Sequence, residues 1–167
     1  MSTTEKSFLA VVEAHKGIIY KIANLYCRDT EDRKDIVQEI IVQLWRSFSN
    51  YSGEAKYSTW IYRIALNVAI SFYRKETRRS QITNPLSEAI LNIADSSGLN
   101  ETEEKIGFLY RFIAELKELD KALMLLYLDE KTHKEIADIL GITETNVATK
   151  IGRIKALLKQ KFSTLKN

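Results

Sequence analysis

Proline occurs once and cysteine once in these 167 residues, and glycine only six times. So few breakers exclude a chain of short strands and tight turns and predict a mostly helical protein. One cysteine, Cys27, excludes an internal disulfide and points to a reducing compartment. It follows Leu25 and Tyr26 at the end of an apolar helical pattern, which suits a small buried hydrophobe better than a reactive thiol. No apolar run approaches the length of a membrane span, and the N-terminus lacks the charged, apolar and cleavage regions of a signal peptide. A soluble, cytoplasmic protein is expected. Catalytic vocabulary is equally thin. His15 and His133 have no cysteine or carboxylate at metal-ligand spacing. There is no phosphate-cradling glycine loop and no nucleophile elbow, and Asp129–Glu130 suits a turn. No catalytic residue, metal or cofactor is expected, and an enzyme is the least supported class.

What is there is charge and helical periodicity. The net charge of +3 says little by itself. Its distribution says more: residues 1–80 carry 13 basic and 9 acidic groups, residues 81–102 none and 3, residues 103–167 12 and 10. Two mildly basic segments flank an acidic one rich in small and polar residues, with Pro85 and Gly98. That segment reads as a flexible linker, and fully extended its ~20 residues span about 65–70 Å. The fold class is therefore all-α: two small helical domains, residues 1–80 and 103–167, joined by residues 81–102.

In the first segment, Phe8, Val11, Val12, Ile18, Ile19, Ile22 and Leu25 recur at helical spacing over about Thr4 to Cys27, with Gly17 either interrupting or only weakening the helix. A polar turn, Arg28–Asp32, follows. The next helix, about Asp32 to Phe48, is two-faced. Ile36, Val37, Ile40, Ile41 and Leu44 form its core side, and Asp35, Gln38, Glu39, Val42 and Arg46 the other, with Trp45 at the edge. Carboxylates and a glutamine alone make an ordinary solvated face; the added valine and tryptophan suggest a protein-binding patch. The loop Ser47–Ala55 holds two aromatics and Gly53.

Lys56–Arg79 reads as one long helix with Ile61, Ala65, Val68, Ala69 and Phe72 buried. At 100° per residue a second stripe emerges: Trp60, Arg63, Asn67, Ser71, Arg74 and Arg78. An aromatic followed by amide, hydroxyl and guanidinium groups suits melted or single-stranded nucleic acid, with bases on the ring and phosphates on the arginines. Taken alone, Trp60 is better explained as part of the core; the whole stripe favours nucleic acid.

After the linker, Ile106, Leu109, Phe112, Ile113 and Leu116 mark one helix, and Leu119, Leu123, Leu126 and Tyr127 another. Residues Thr132–Phe162 then form two helices around a tight turn. Thr132 and Glu135 have capping-box spacing. Ile136, Ala137 and Leu140 face inward, with Ala137 small where a second helix crosses. Gly141 supplies the left-handed backbone that ends a helix, and Thr143 caps the next. Val147, Ile151, Ile154 and Leu158 make its apolar stripe. This is a helix-turn-helix layout, whose second helix enters the DNA major groove. Thr145, Asn146, Thr149 and Arg153, with Lys150 beside them, occupy its polar face. A solvated basic hairpin would share much of this pattern. The fixed offsets of Ala137, Gly141 and Val147, with six basic groups against one acid from Glu144 to Lys166, favour DNA.

DIVQEIIVQLW (Asp35–Trp45), the Y-x-x-W-I-x-x-I-A-x-N run from Tyr57 to Asn67 with Arg74, the linker, and KTHKEIADILGITETNVATKI together resemble a bacterial RNA polymerase sigma factor of the extracytoplasmic-function group, which keeps only the second and fourth sigma domains. The resemblance spans nearly the whole chain. It implies that Asp35, Gln38, Glu39, Val42 and Trp45 dock on core RNA polymerase. It implies that the Ser47–Ala55 loop, with Asn50 and Tyr51, captures a base flipped from the minus-ten element. Tyr57, Trp60, Arg63, Asn67, Ser71, Arg74 and Arg78 would melt and hold that element. Thr132, Thr145, Asn146, Thr149, Lys150 and Arg153 would bind the minus-thirty-five element as duplex. The implied partners are core polymerase, promoter DNA and an anti-sigma factor, with no obligate homo-oligomer. The sequence departs from the family pattern at Ser71, where an acid is frequent, at Asp120, where proline is frequent, and at Ala148 and Lys150. A stand-alone helix-turn-helix regulator is the alternative. It leaves the Asp35–Trp45 patch and the Trp60–Arg78 stripe without a task.

Overall fold

The structure is a computed structural model and describes residues 1–80 and 100–165. The linker expected at 81–102 lies almost entirely outside the described residues. Seven α-helices make up the secondary structure among them: α1 Thr3–Tyr26, α2 Thr30–Phe48, α3 Tyr57–Ser80, α4 Glu101–Glu115, α5 Glu118–Leu128, α6 His133–Leu140 and α7 Glu144–Leu165. The chain divides into two compact units, Met1–Arg78 and Arg79–Asn167.

In the first unit α1 packs along α2. A capping box starts α1: the Glu5 amide donates to the Ser2 hydroxyl at 3.2 Å and the Ser2 amide to the Glu5 carboxylate at 2.7 Å. The helix runs through Gly17 without a break, because one glycine costs only about 1 kcal/mol against the packing around it. Asp29 caps α2, so that helix begins two residues before the expected start. The core is Phe8, Ile19, Ile22, Ala23 and Tyr26 of α1, Ile36, Ile40 and Leu44 of α2, and Trp60, Ile61, Tyr62, Ala65, Leu66 and Ala69 of α3. The expected core of α3 was too narrow: Tyr62 and Leu66 are 1 % exposed, whereas Val68 and Phe72 are only half-buried. Helix α3 is covered on a wide arc, so a second row at i, i+4 lies beside the Ile61, Ala65 row. Cys27 is buried, as a small hydrophobe should be.

In the second unit α5 is the central element, packed against α4, α6 and α7. Its residues from Lys121 to Leu126 are all buried. Glu130, at φ 62°, takes the left-handed turn out of α5. Thr132 caps α6 by accepting from the Glu135 amide at 3.1 Å. The expected capping box is only half made. The Glu135 carboxylate instead accepts from the Thr132 hydroxyl at 3.3 Å and faces Lys131 Nζ at 3.7 Å. Ile136, Ala137 and Ile139 are buried, while Leu140 is half-buried. Gly141 ends α6 at φ 70°, ψ 34°, and Thr143 caps α7 by accepting from the Asn146 amide at 3.1 Å. Val147, Ile151 and Ile154 close the core. At the far end, Phe108 and Phe162 meet edge-to-face at 4.6 Å and Lys161 pairs with Glu115 at 3.2 Å.

Two glycines should respond in opposite directions. Gly141→Ala places a Cβ in left-handed backbone and should cost the second unit about 1–2 kcal/mol. Gly17→Ala adds a methyl with nothing within 4 Å and should stabilise the first unit by about 0.5–1 kcal/mol. Both tryptophans lie in the first unit, so urea unfolding followed by tryptophan fluorescence reads Gly17→Ala, and circular dichroism reads Gly141→Ala.

Candidate nucleic-acid interface

Burial of Ile36, Ile40 and Leu44 commits one side of α2 to the core and turns Asp35, Gln38 and Glu39 outward. Val42 is half-buried, and Trp45 is 44 % exposed with its ring edge-on to Phe8 at 5.0 Å. The patch is acidic. Burial first, then the charges of Asp29, Glu76 and Asp35, push the Asp32 carboxyl up from its ordinary value. Crowded like charge of this kind is complementary to a basic partner. Between α2 and α3 runs a groove of about 600 Å³, lined by Asp35, Glu39 and Gln43 on one side and Asn67, Ser71 and Lys75 on the other. Two faces that the sequence presents separately therefore share one groove.

Arg63, Asn67, Ser71, Arg74 and Arg78 are all exposed along α3. Trp60 is not. It is 9 % exposed and cannot offer its face to a base in this conformation. Its ring lies under a roof of aromatics: Tyr51 at 5.2 Å, Phe48 at 6.1 Å and Tyr57 at 6.3 Å between centroids. The inclusion of Trp60 in an exposed stacking stripe is therefore corrected. The stripe begins at Arg63, and the loop folds over the tryptophan. That loop is held by its own contacts. The Tyr51 hydroxyl donates to the Ala55 carbonyl, and Tyr51 stacks on Tyr57 at 4.6 Å with 22° between planes. Asn50 is exposed, Tyr51 half-buried, and Tyr57 is 36 % exposed at the mouth of the cluster. His15 of α1 stands beside Tyr57, 6.4 Å away and tilted by 53°. Nothing in the periodicity of α1 connects His15 to this loop.

In the second unit, burial of Val147, Ile151 and Ile154 leaves Thr145, Asn146, Thr149 and Arg153 exposed on the other side of α7. Thr132 is exposed at the start of α6. The Thr149 hydroxyl donates back to the Thr145 carbonyl at 3.0 Å, leaving its oxygen lone pairs available as acceptors. Lys150 differs from its neighbours. It is half-buried, with its Nζ 3.8 Å from the Asp120 carboxylate of α5. Lys155 lies over the Tyr127 ring at 4.4 Å. Part of the positive charge counted along this helix is thus engaged within the unit.

Residues 11–79 match the Sigma-70 region 2 family and residues 109–158 the Sigma-70, region 4 family. The chain belongs to the sigma-70 family, in its extracytoplasmic-function group. Among relatives, it is 28 % identical over 173 residues to the ECF RNA polymerase sigma-E factor of Escherichia coli, spanning 96 % of this chain and 89 % of that one. It is 26 % identical over 180 residues to the ECF sigma factor SigW of Bacillus subtilis, spanning 96 % and 91 %. The fold is similar to that of the sigma factor RpoE from Bartonella quintana, solved with the anti-sigma factor NepR: TM-score 0.66 at 15 % identity, covering 95 % of this chain and 96 % of that one. It is also similar to CnrH, solved with the cytosolic domain of CnrY: TM-score 0.67 at 18 % identity, covering 96 % and 90 %. Region 2 thus takes in the acidic patch, the groove and the α3 stripe of this sigma factor, and region 4 its helix-turn-helix. No described helix is long and apolar enough to cross a membrane.

Two measurements follow from these positions. Trp60→Ala should lower the stability of the first unit by about 3–5 kcal/mol, the cost of emptying a buried aromatic site. Trp45→Ala should cost clearly less, both read by urea unfolding. Asp120→Asn should release Lys150 toward phosphate and steepen the slope of log affinity against log salt for duplex DNA by about 0.9, one further phosphate contact. Fluorescence anisotropy across a salt series reads the slope.

Proposed function

We propose that this sigma factor acts through three faces, two of which share the groove between α2 and α3. Asp35, Gln38, Glu39, Val42 and Trp45 dock on a basic surface of core RNA polymerase. Asn50, Tyr51 and Tyr57, with Arg63, Asn67, Ser71, Arg74 and Arg78, open the minus-ten element and hold one strand. Thr132, Thr145, Asn146, Thr149 and Arg153 grip the minus-thirty-five element as duplex, with Lys150 joining once it leaves Asp120. Residues 1–80 are then the docking and melting domain, residues 103–167 the upstream-binding domain, and residues 81–102 the tether. Trp60 acts from beneath, by holding the loop in shape.

The observation that carries this reading is the groove between α2 and α3. It sets acidic docking groups, Asp35 and Glu39, opposite Asn67, Ser71 and Lys75 on the strand-holding helix. A surface that binds the polymerase there necessarily lies next to the DNA. The energetics agree in scale. Flipping a base costs roughly a few kcal/mol, and stacking on aromatic rings returns about 1–3 kcal/mol per base. Two modest binding faces on one tether raise each other's effective concentration, so promoter affinity depends on the polymerase that sets their spacing. The protein works in the cytoplasm, without catalysis or cofactor of its own. An anti-sigma factor is an expected partner, in keeping with the two solved relatives described above as complexes.

Charge reversal tests the docking face. Asp35→Arg with Glu39→Arg should abolish co-migration with core polymerase on gel filtration while leaving the circular dichroism spectrum unchanged. Intact co-migration would assign docking to another surface. Arg153→Ala in the assembled holoenzyme should weaken binding of upstream duplex about five- to a hundredfold, the range for one base-contacting arginine. An unchanged affinity would remove α7's polar face from the contact.

A further inference from the structure

The sigma-factor reading leaves His15 of α1 without a role. Its Nδ1 lies 2.9 Å from the Val11 carbonyl oxygen one turn back on α1. A carbonyl can only accept, so the proton sits on Nδ1. In the neutral ring Nε2 is then a hydrogen-bond acceptor. The helix thus sets both the tautomer and the direction of the ring. That ring stands beside Tyr57, the exposed member of the Tyr51–Tyr57 stack, at 6.4 Å and tilted by 53°. Trp60 supports the stack from below, and exposed Asn50 and Lys56 flank it. An aromatic platform with an amide, a cation and one oriented acceptor has the chemistry of a site that takes an unpaired nucleobase and reads its edge. The ring supplies stacking, the cation meets phosphate, and the acceptor distinguishes amino from keto groups.

We propose that His15 is a specificity-determining residue of the strand-capturing site. Its Nε2 accepts a hydrogen bond from adenine N6 or cytosine N4 of a base stacked at Tyr57, favouring these two over guanine or thymine at one position of the held strand. These amines are donors, whereas the matching positions of guanine and thymine carry the acceptors O6 and O4, which would meet the Nε2 lone pair with their own; guanine's amine, N2, lies on the minor-groove edge, away from that contact. One hydrogen bond of this kind should give about a two- to tenfold preference. The inference rests on the proposed assignment of the Ser47–Ala55 loop and Tyr57 to strand capture, and the test separates the two.

The holoenzyme, assembled from core polymerase and the full chain, is used to select from fork-shaped DNA whose single-stranded arm is randomised. The enriched bases are read by sequencing. The wild type should show one position enriched in adenine and cytosine together. His15→Phe keeps a ring beside Tyr57 but removes the acceptor. It should flatten that position alone, leave the preferences at the other positions as they are, and lower retention of arms carrying adenine or cytosine there by about two- to tenfold. His15→Gln, whose amide oxygen can accept, should restore part of the preference and also serves if His15→Phe fails to fold. The inference is overturned if the wild type shows no amino-base position, if His15→Phe keeps the preference intact, or if every position degrades together. The last result would make His15 merely structural. Tyr57→Ala is the control for the underlying assignment. If it leaves retention of the single-stranded arm unchanged, the strand-capture reading fails. If it lowers retention while His15→Phe changes no base preference, that reading stands and only the role of His15 is lost.

Discussion

The burial of Trp60 is the interaction on which the working surface of the first unit depends. One ring ties together three consecutive pieces of chain: the end of α2 through Phe48, the following loop through Tyr51, and the start of α3 through Tyr57. Phe8 extends the cluster to α1, edge-on to both Trp45 and Phe48 at 5.0 and 5.3 Å. Edge-to-face and offset ring pairs each contribute about 0.5–1.5 kcal/mol beyond their buried area. A polar loop of this length, otherwise costly to order, can therefore be held in one shape beside the helix proposed to meet the DNA strand. On the proposed function, the tryptophan serves recognition by staying out of contact with the base.

The second unit applies a related economy to duplex DNA. Helix α5 is buried almost all round, and the helix-turn-helix is built against it. Left-handed backbone at Gly141 and the caps at Thr132 and Thr143 fix where α6 stops and α7 starts. With Val147, Ile151 and Ile154 committed to the core, the register of α7 is set and its polar groups must face outward. The charge on this helix is partly used at home. Lys150 with Asp120 and Lys155 with Tyr127 trade some attraction for DNA against the stability of the unit. Half-exposed pairs of this type contribute only about 0–1 kcal/mol, little enough for a phosphate to compete with Asp120.

Local chemistry was legible in the sequence and distant chemistry was not. The helices, the turn at Gly141, the caps at Thr132 and Thr143 and the two-faced character of α2 follow from spacing within a few residues. So does the exposure of Arg63, Asn67, Ser71, Arg74 and Arg78, because polar groups recurring at helical spacing share the face that the apolar rows leave to solvent. Trp60 defeats such reasoning because a ring at the edge of a stripe is inside or outside according to what folds over it, here a loop whose course periodicity does not describe. Tyr62 and Leu66 were missed because α3 is covered on more than one stripe. The Asp120–Lys150 pair joins residues thirty positions apart, and His15 meets Tyr57 across forty-two. No local rule connects either pair.

The central claim is that this chain makes core RNA polymerase open DNA at chosen sites. Permanganate footprinting on fragments that support initiation tests it most directly, since permanganate oxidises unpaired thymines. Core polymerase with the full chain should give a cluster of reactive thymines just upstream of each transcription start, absent with core alone and weakened by Tyr57→Ala. Transcription starts without such a cluster, or the same cluster with core alone, would contradict the account.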